Sequence, residues 1–243
     1  MPTVLLVRHG RTAANSSGVL AGWTPGIGLD DHGRAQVEAL GDRIASAGVT
    51  VSRVVSSPLQ RCQETAAIVV AKAADGIPVE ADDRLGEARY GSWTGRKLSE
   101  LAKEDLWRTV QDQPSAARFP DDEGYAAESL LEMGHRAVRT VRRHDAEVAA
   151  EHGPHALWVA VSHGDVIKAV LAEAAGSHFD HLQRFRADPA SVSVVHYTQR
   201  RTFLVGANDM GSDLARLLPP GAPEVPEGDA PVGGGSAEGR TRR

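Results

Sequence analysis

Val4-Leu5-Leu6-Val7-Arg8-His9-Gly10-Arg11-Thr12 is an apolar run that stops on an Arg-His-Gly triplet. Four consecutive aliphatic residues predict a strand buried on both faces, as in a parallel sheet. The triplet then falls just past the carboxyl end of that strand, where the loops of an open α/β sheet diverge and leave a crevice for ligands. Each member brings usable chemistry. Arg8 has a planar fork of donors suited to phosphate oxygens, His9 a ring nitrogen that can act as nucleophile, acid or ligand, and Gly10 a backbone that turns sharply. By itself the triplet is more often a solvated or hydrogen-bonded loop.

The same grammar recurs twice. Leu157-Trp158-Val159-Ala160-Val161 predicts a second apolar strand ending on Ser162-His163-Gly164-Asp165. Val54-Val55 predicts a third, ending on Ser56-Ser57-Pro58, with Leu59-Gln60-Arg61 opening a helical pattern. Three strand ends would thus deliver Arg8, His9, Arg61 and His163 to one edge of one sheet. On residue type alone, Arg61 is either a solvated cation paired with Glu64 or an anion ligand in the first turn of a helix, where free N–H groups and the dipole favour negative charge.

In order along the chain, four groups resemble the motifs of the histidine phosphatase (phosphoglycerate mutase-like) superfamily. They are Arg8-His9-Gly10 with Thr12 and Asn15, Ser56-Ser57-Pro58 with Arg61 and Thr65-Ala66, Glu87 ahead of Gly91-Ser92-Trp93-Thr94-Gly95, and Ser162-His163-Gly164. The resemblance implies an α/β fold, a three-layer sandwich whose mostly parallel central sheet is flanked by helices. It places a catalytic domain over residues 1–211 with a small helical cap near 95–124. It also implies roles: His9 as nucleophile, Glu87 as general acid, and Arg8, Arg61 and His163 as catalytic groups around the phosphate. Asn15, Thr24 and Gly164 would line the phosphate pocket, although Asn15 and Thr24 read equally well as turn residues. No cofactor and no metal is implied. For Glu87 to stay protonated near two arginines, it needs burial or the negative charge of bound phosphate.

Bulk properties narrow the class. A chain of 243 residues suffices for one large domain. A net charge of -5, from 27 basic and 32 acidic residues, leaves no footprint for nucleic acid. Cys62 is the one cysteine, which excludes an internal disulfide and suits a reducing cytoplasm. A secretory signal and a membrane span are not expected, since no long apolar run occurs. The expected partner is a small phosphorylated substrate, without nucleic acid or membrane, and a homodimer is compatible with the sequence.

The remaining stretches predict a loop over Asn15 to Leu29, then a helix capped by Asp30 or Asp31, carrying Val37, Leu40 and Ile44 and ending at Gly48. Pro58 should open the following helix. Ile77-Pro78-Val79-Glu80 reads as a short strand, with Asp82 and Asp83 on the surface. Leu98, Leu101, Leu106, Trp107 and Val110 predict one cap helix ending near Pro114. Leu130 to Val148 predicts a long helix closing at Gly153-Pro154, and an apolar helix should follow His163. Strands are predicted at Val192 to Tyr197 and Thr202 to Val205. Residues 212–243, rich in Pro and Gly, read as a disordered tail.

The reaction implied is hydrolysis of a phosphomonoester through a phosphohistidine. A phosphomutase and a non-catalytic phospho-ligand-binding member are the alternatives within the resemblance. In the glycolytic mutases an Arg follows the catalytic Glu and a Trp-Arg-Arg run lies in the cap. Here Ala88 and Trp107-Arg108-Thr109 stand instead, which points to a hydrolase. Arg89, Arg96, Lys97, Arg108 and Arg118 are candidate substrate-selecting cations. The turn Asp121-Asp122-Glu123-Gly124 departs from the relatives' Gly-Gly-Glu and weakens any role for Glu123. His152 with His155, and His178 with His181, have spacings that could grip a metal, but the further carboxylate or cysteine ligands that a metal requires are not clustered with them, and both pairs read as surface histidines.

Overall fold

A computed structural model describes residues 2–211. The expected disordered tail, 212–243, lies outside the described residues. Six strands form one sheet in the order β3-β2-β4-β1-β5-β6. They are β1 (Thr3–Arg8), β2 (Val51–Ser56), β3 (Val79–Ala81), β4 (Leu157–Ser162), β5 (Val192–Tyr197) and β6 (Thr202–Asp209). β3, β2, β4 and β1 pair in parallel, whereas β5 pairs antiparallel with both β1 and β6. β5 is therefore the one reversed strand, and the sheet is mostly parallel.

Seven α-helices accompany it among the described residues: α1 (Ala13–Ser16), α2 (Asp31–Ser46), α3 (Gln60–Ala73), α4 (Leu98–Leu101), α5 (Asp105–Asp112), α6 (Leu130–His152) and α7 (Gly164–Ala174). The alternation of strand side chains divides the core. Val4, Leu6, Trp158 and Ala160 pack with Met133, Ala137 and Val141 of α6 and Val166 and Val170 of α7. Val7, Val159 and Val161 pack on the other face with Val37, Leu40 and Ile44 of α2 and Ala66 and Val69 of α3. The result is a three-layer sandwich.

Register fixes where the chemistry collects. Arg8 lies beside Ser162, Ser56 beside Val161, and Ser56 beside Ala81, so four carboxyl ends form one edge. His9, Ser57, Asp82 and His163 each follow directly. The loop after β1 is pressed onto α2. A Cβ on Gly33 would lie 2.0 Å from the Arg11 carbonyl oxygen, and one on Gly10 would lie 2.6 Å from the Gly33 oxygen.

Several boundaries differ from the sequence reading. Within the expected loop, Thr12 and Asn15 close a capping box and wind the single turn α1. Asp30 caps α2 as expected, accepting from Gly33 N. Pro58 stands outside α3, which starts at Gln60 after Leu59. The cap holds two helices rather than one, because the six-residue step from Leu101 to Trp107 does not fit whole helical turns. A break between α4 and α5 lets Leu101, Trp107 and Val110 all face the core. Asp82, expected on the surface, is buried and joins Arg84, Arg143 and His144. Against the burial that would raise it, hydrogen bonds from Arg84 and His144 hold its carboxyl below the usual range. Among the described residues no helix is long and apolar enough to cross a membrane.

Candidate active site

His9 leaves β1 buried, and its Nδ1 lies 2.7 Å from the Gly10 carbonyl oxygen. A carbonyl only accepts, so Nδ1 carries the proton and Nε2 keeps its lone pair. Nε2 is met by Arg61 Nε at 3.3 Å. Burial, then the charges of Arg61 and Arg8, hold the His9 imidazole well below its ordinary range, so it is neutral. A neutral imidazole whose unprotonated nitrogen is held only by a displaceable arginine N–H can act as a nucleophile.

Arg61 comes from the first turn of α3. Besides Nε to His9, its Nη2 donates to Gly22 O at 2.9 Å and to His163 Nδ1 at 3.2 Å. Thr65, one turn on, takes Gly10 N at 3.1 Å and donates to Arg61 O at 2.7 Å, tying the β1 loop to α3. Arg8 is equally buried and donates Nη1 to Ala187 O at 2.6 Å. Arg61 thus touches His9 and the charge of Arg8 is felt there, in surroundings suited to a dianion.

His163 caps α7 without a side-chain capping bond, which leaves its ring for the site. The His9 and His163 ring centres are 5.2 Å apart. Because Arg61 donates to Nδ1, the His163 proton resides on Nε2 and is given to Ser57 Oγ at 2.8 Å. Burial first, then the charges of Arg61, Arg8 and Arg136, keep this ring well below its ordinary range. Unliganded, His163 is therefore neutral, and a cationic form needs an anion beside it. Cys62 Sγ packs 3.4 Å from Nε2, and burial pushes its thiol up to about 12, so it stays protonated.

Glu87 is buried with Oε2 3.9 Å from His163 Nδ1 and Oε1 accepting from Ala88 N at 3.0 Å. Burial first, then the charge of Asp165, push its carboxyl up to about 7 against the pull of Arg61 and Arg8. Burial, rather than bound phosphate alone, therefore keeps this carboxyl protonated near neutrality.

The site brings together Arg8, His9, Arg61, Glu87 and His163. The outer candidates are placed differently. Asn15 lends Oδ1 to Thr12 N and Oγ1, each at 3.0 Å, a capping role. Thr24 Oγ1 is buried without a hydrogen-bond partner among the described residues, in the loop whose Gly22 carbonyl holds Arg61. Gly164 is the buried first residue of α7. Of the cap cations, Arg96 pairs with Glu104, Arg108 with Asp112 and Arg118 with Glu132, while exposed Lys97 stands at the start of α4. Arg89 lies 4.4 Å over the Trp23 ring, with no carboxylate partner among the described residues. Glu123 is exposed. The buried carboxylate of that stretch is Glu128.

Sequence reasoning missed Ser57 as the partner of His163, Trp23, whose Nε1 donates to Glu87 O at 2.7 Å, and Arg136, which bonds the same carbonyl at 2.9 Å. It also missed Asp165, buried under the site with Tyr90 Oη at 2.9 Å and Lys168 Nζ at 3.4 Å. The one signal for that pair was charge inside an otherwise apolar helix. His178 accepts from Asp180 N, and His152 lies 3.7 Å from Glu151. Among the described residues no three His, Cys, Asp or Glu side chains are grouped to hold a metal.

Residues 4–210 match the family model of the histidine phosphatase superfamily, branch 1. A 2,3-bisphosphoglycerate-dependent phosphoglycerate mutase of Caulobacter vibrioides is 27% identical over 188 residues, covering 70% of this chain and 79% of its own. A bifunctional protein of Mycobacterium tuberculosis is 32% identical over 202 residues, 80% of this chain and 50% of its own. Among solved structures, the alpha-ribazole phosphatase of Shigella flexneri is similar with a TM-score of 0.70 and 25% identity, covering 86% of this chain and 96% of that one.

Proposed function

Because the chain belongs to the histidine phosphatase superfamily, branch 1, we propose that it is a metal-independent phosphomonoester hydrolase, acting in the cytoplasm on a small phosphorylated metabolite through a phosphohistidine. The observation that carries this reading is the bond from His9 Nδ1–H to the Gly10 carbonyl, which leaves Nε2 unprotonated, its lone pair accepting from Arg61 Nε until a phosphate engages that arginine. Nε2 attacks phosphorus in line, forming an N–P bond while the P–O bond to the leaving oxygen breaks. Glu87 gives its proton to that oxygen. The resulting carboxylate then takes a proton from water as the water oxygen attacks phosphorus, and the N–P electrons return to Nε2. Arg8 and Arg61 offset the charge on the equatorial oxygens, and the phosphate in turn lets His163 protonate and donate. The Thr24 hydroxyl and the Gly164 amide supply further donors, and Asn15, its oxygen taken by the capping box, would act through its amide.

Hydrolysis is favoured over mutase chemistry by what stands at the positions of the mutases' cationic cluster. A mutase must grip a bisphosphorylated intermediate while it reorients, which calls for a dedicated cationic cluster and exclusion of water. Ala88 is fully buried after Glu87, and Arg96, Arg108 and Arg118 are each matched by a carboxylate. The likeness to the Caulobacter mutase makes isomerisation the second reading. A panel of phosphorylated metabolites assayed for released phosphate, beside a mutase assay with 3-phosphoglycerate and catalytic 2,3-bisphosphoglycerate, separates the two. Phosphate release with acid-labile labelling lost in His9→Ala is the expected result. Efficient isomerisation with little release overturns the hydrolase, and labelling that survives in His9→Ala overturns the nucleophile.

A further inference from the structure

Four consecutive carbonyls lead up to and include that of Glu87, and each is held by a side chain from elsewhere. Arg136 Nη1 donates to both Arg84 O and Gly86 O at 2.8 Å, and its Nη2 donates to Glu87 O at 2.9 Å. Ser162 Oγ at the end of β4 donates to Leu85 O at 2.7 Å, and Trp23 Nε1 donates again to Glu87 O. This segment begins inside a short 3-10 turn, Asp83–Leu85, and joins no strand of the sheet. Its carbonyls have no ladder, so something else must satisfy them.

The guanidinium is itself fixed. Glu128 accepts from Arg136 Nε at 3.0 Å and Nη2 at 2.6 Å, and its Oε1 also takes Arg89 N at 2.9 Å. Both partners are largely buried, at 19% and 11% side-chain exposure. A planar fork of donors can serve three carbonyls and a carboxylate at once, which an ammonium on a flexible stem cannot reproduce. The clamp closes from α6, behind the segment, while the Glu87 carboxyl points forward to His163. Arg136 is close enough that its charge is felt at His163.

We propose that Arg136, locked by Glu128, is a positioning residue for the acid arm: it fixes the backbone on both sides of Glu87 so that the carboxyl stays seated against His163. The proposal rests on the reading of Glu87 as the group that protonates the leaving oxygen.

Arg136→Lys keeps the charge and removes the fork, and Glu128→Gln removes the lock. Both are compared with the unaltered chain on glycerol phosphate, whose alkoxide needs a proton, and on p-nitrophenyl phosphate, whose leaving group does not. In Arg136→Lys, kcat on glycerol phosphate should fall at least about tenfold while p-nitrophenyl phosphate changes by less than about threefold, since general-acid assistance matters only for the first. Glu128→Gln should act in the same direction and less. Equal losses on both substrates overturn the positioning role and leave a general support of the fold. A second measurement is independent of which group is the acid. With 13C-labelled glutamate, the Glu87 carboxyl, which faces Asp165, His163, Arg61 and Arg8, should titrate closer to the ordinary carboxylate range in Arg136→Lys. An unchanged titration overturns the proposal. If Glu87→Gln shows no leaving-group discrimination, the acid reading fails, and the titration still decides whether Arg136 seats the carboxyl.

Discussion

His163 gives its Nε2 proton to Ser57 across 2.8 Å, so the nitrogen that faces the site, Nδ1, is the one without a proton. A bound phosphate oxygen would meet that lone pair unfavourably. Anion binding should therefore bring a proton with it, as the dianion offsets the arginine charges that hold His163 low. Calorimetric titration of Glu87→Gln, which removes the other group able to take up a proton there, with vanadate in two buffers of different ionisation enthalpy should show uptake of about one proton near neutrality. A proton count of zero would mean that His163 stays neutral throughout.

Leaving-group protonation should give the pH profile its alkaline limb. Burial pushes the Glu87 carboxyl of the unliganded protein up to about 7, and only its protonated form is an acid, so kcat/KM on alkyl phosphates should fall as pH rises through that value. On p-nitrophenyl phosphate the fall should be much smaller. Asp165→Asn removes one of the charges that raise Glu87, while keeping an acceptor for Tyr90, and should move the limb to lower pH. A limb that stays in place would remove Asp165 from the account.

Stability should carry the same signature with the opposite benefit. A carboxyl raised on folding favours the native state below the unfolded value and loses that advantage as pH rises through the folded one. Above about 7 the unaltered protein must hold a buried charge at Glu87. Glu87→Gln should then be more stable at pH 8, by up to about 3 kcal/mol, and the gain should shrink by pH 5. Thermal melts at the two pH values test this, and a gain equal at both would contradict it.

Gly33→Ala should cost on the order of 1–3 kcal/mol, because the new methyl collides with the Arg11 backbone rather than with a yielding side chain. The collision pushes on the loop that carries His9, so kcat should fall along with the melting midpoint. Unchanged activity in a folded variant would show that this loop tolerates displacement.

Much of this was legible in the chain. The strand ends that carry Arg8-His9-Gly10, Ser56-Ser57 and Ser162-His163-Gly164 announce themselves because an apolar run that stops on polar chemistry has few other uses, and their order supplied the family. The buried supports were not legible. Arg136 on α6 and Glu128 just before it are charges eight residues apart with no motif to mark them, and only the fold turns them onto the Glu87 segment. Asp82 read as surface for the same reason: its partners Arg143 and His144 come from α6, far away in sequence. The split of α4 from α5 was visible in principle, as a misfit of spacing between Leu101 and Trp107.

The acceptor that orients His9 is the backbone of its own neighbour, Gly10. Every amino acid has that carbonyl, so no single codon change can delete it, whereas the state of Glu87 depends on several side chains, each separately mutable. Drift in this lineage should therefore be lopsided. On the proposed mechanism, attack on phosphorus would be the heritable constant, and the choice of leaving group, with the substrates that it admits, the part that variation can reach.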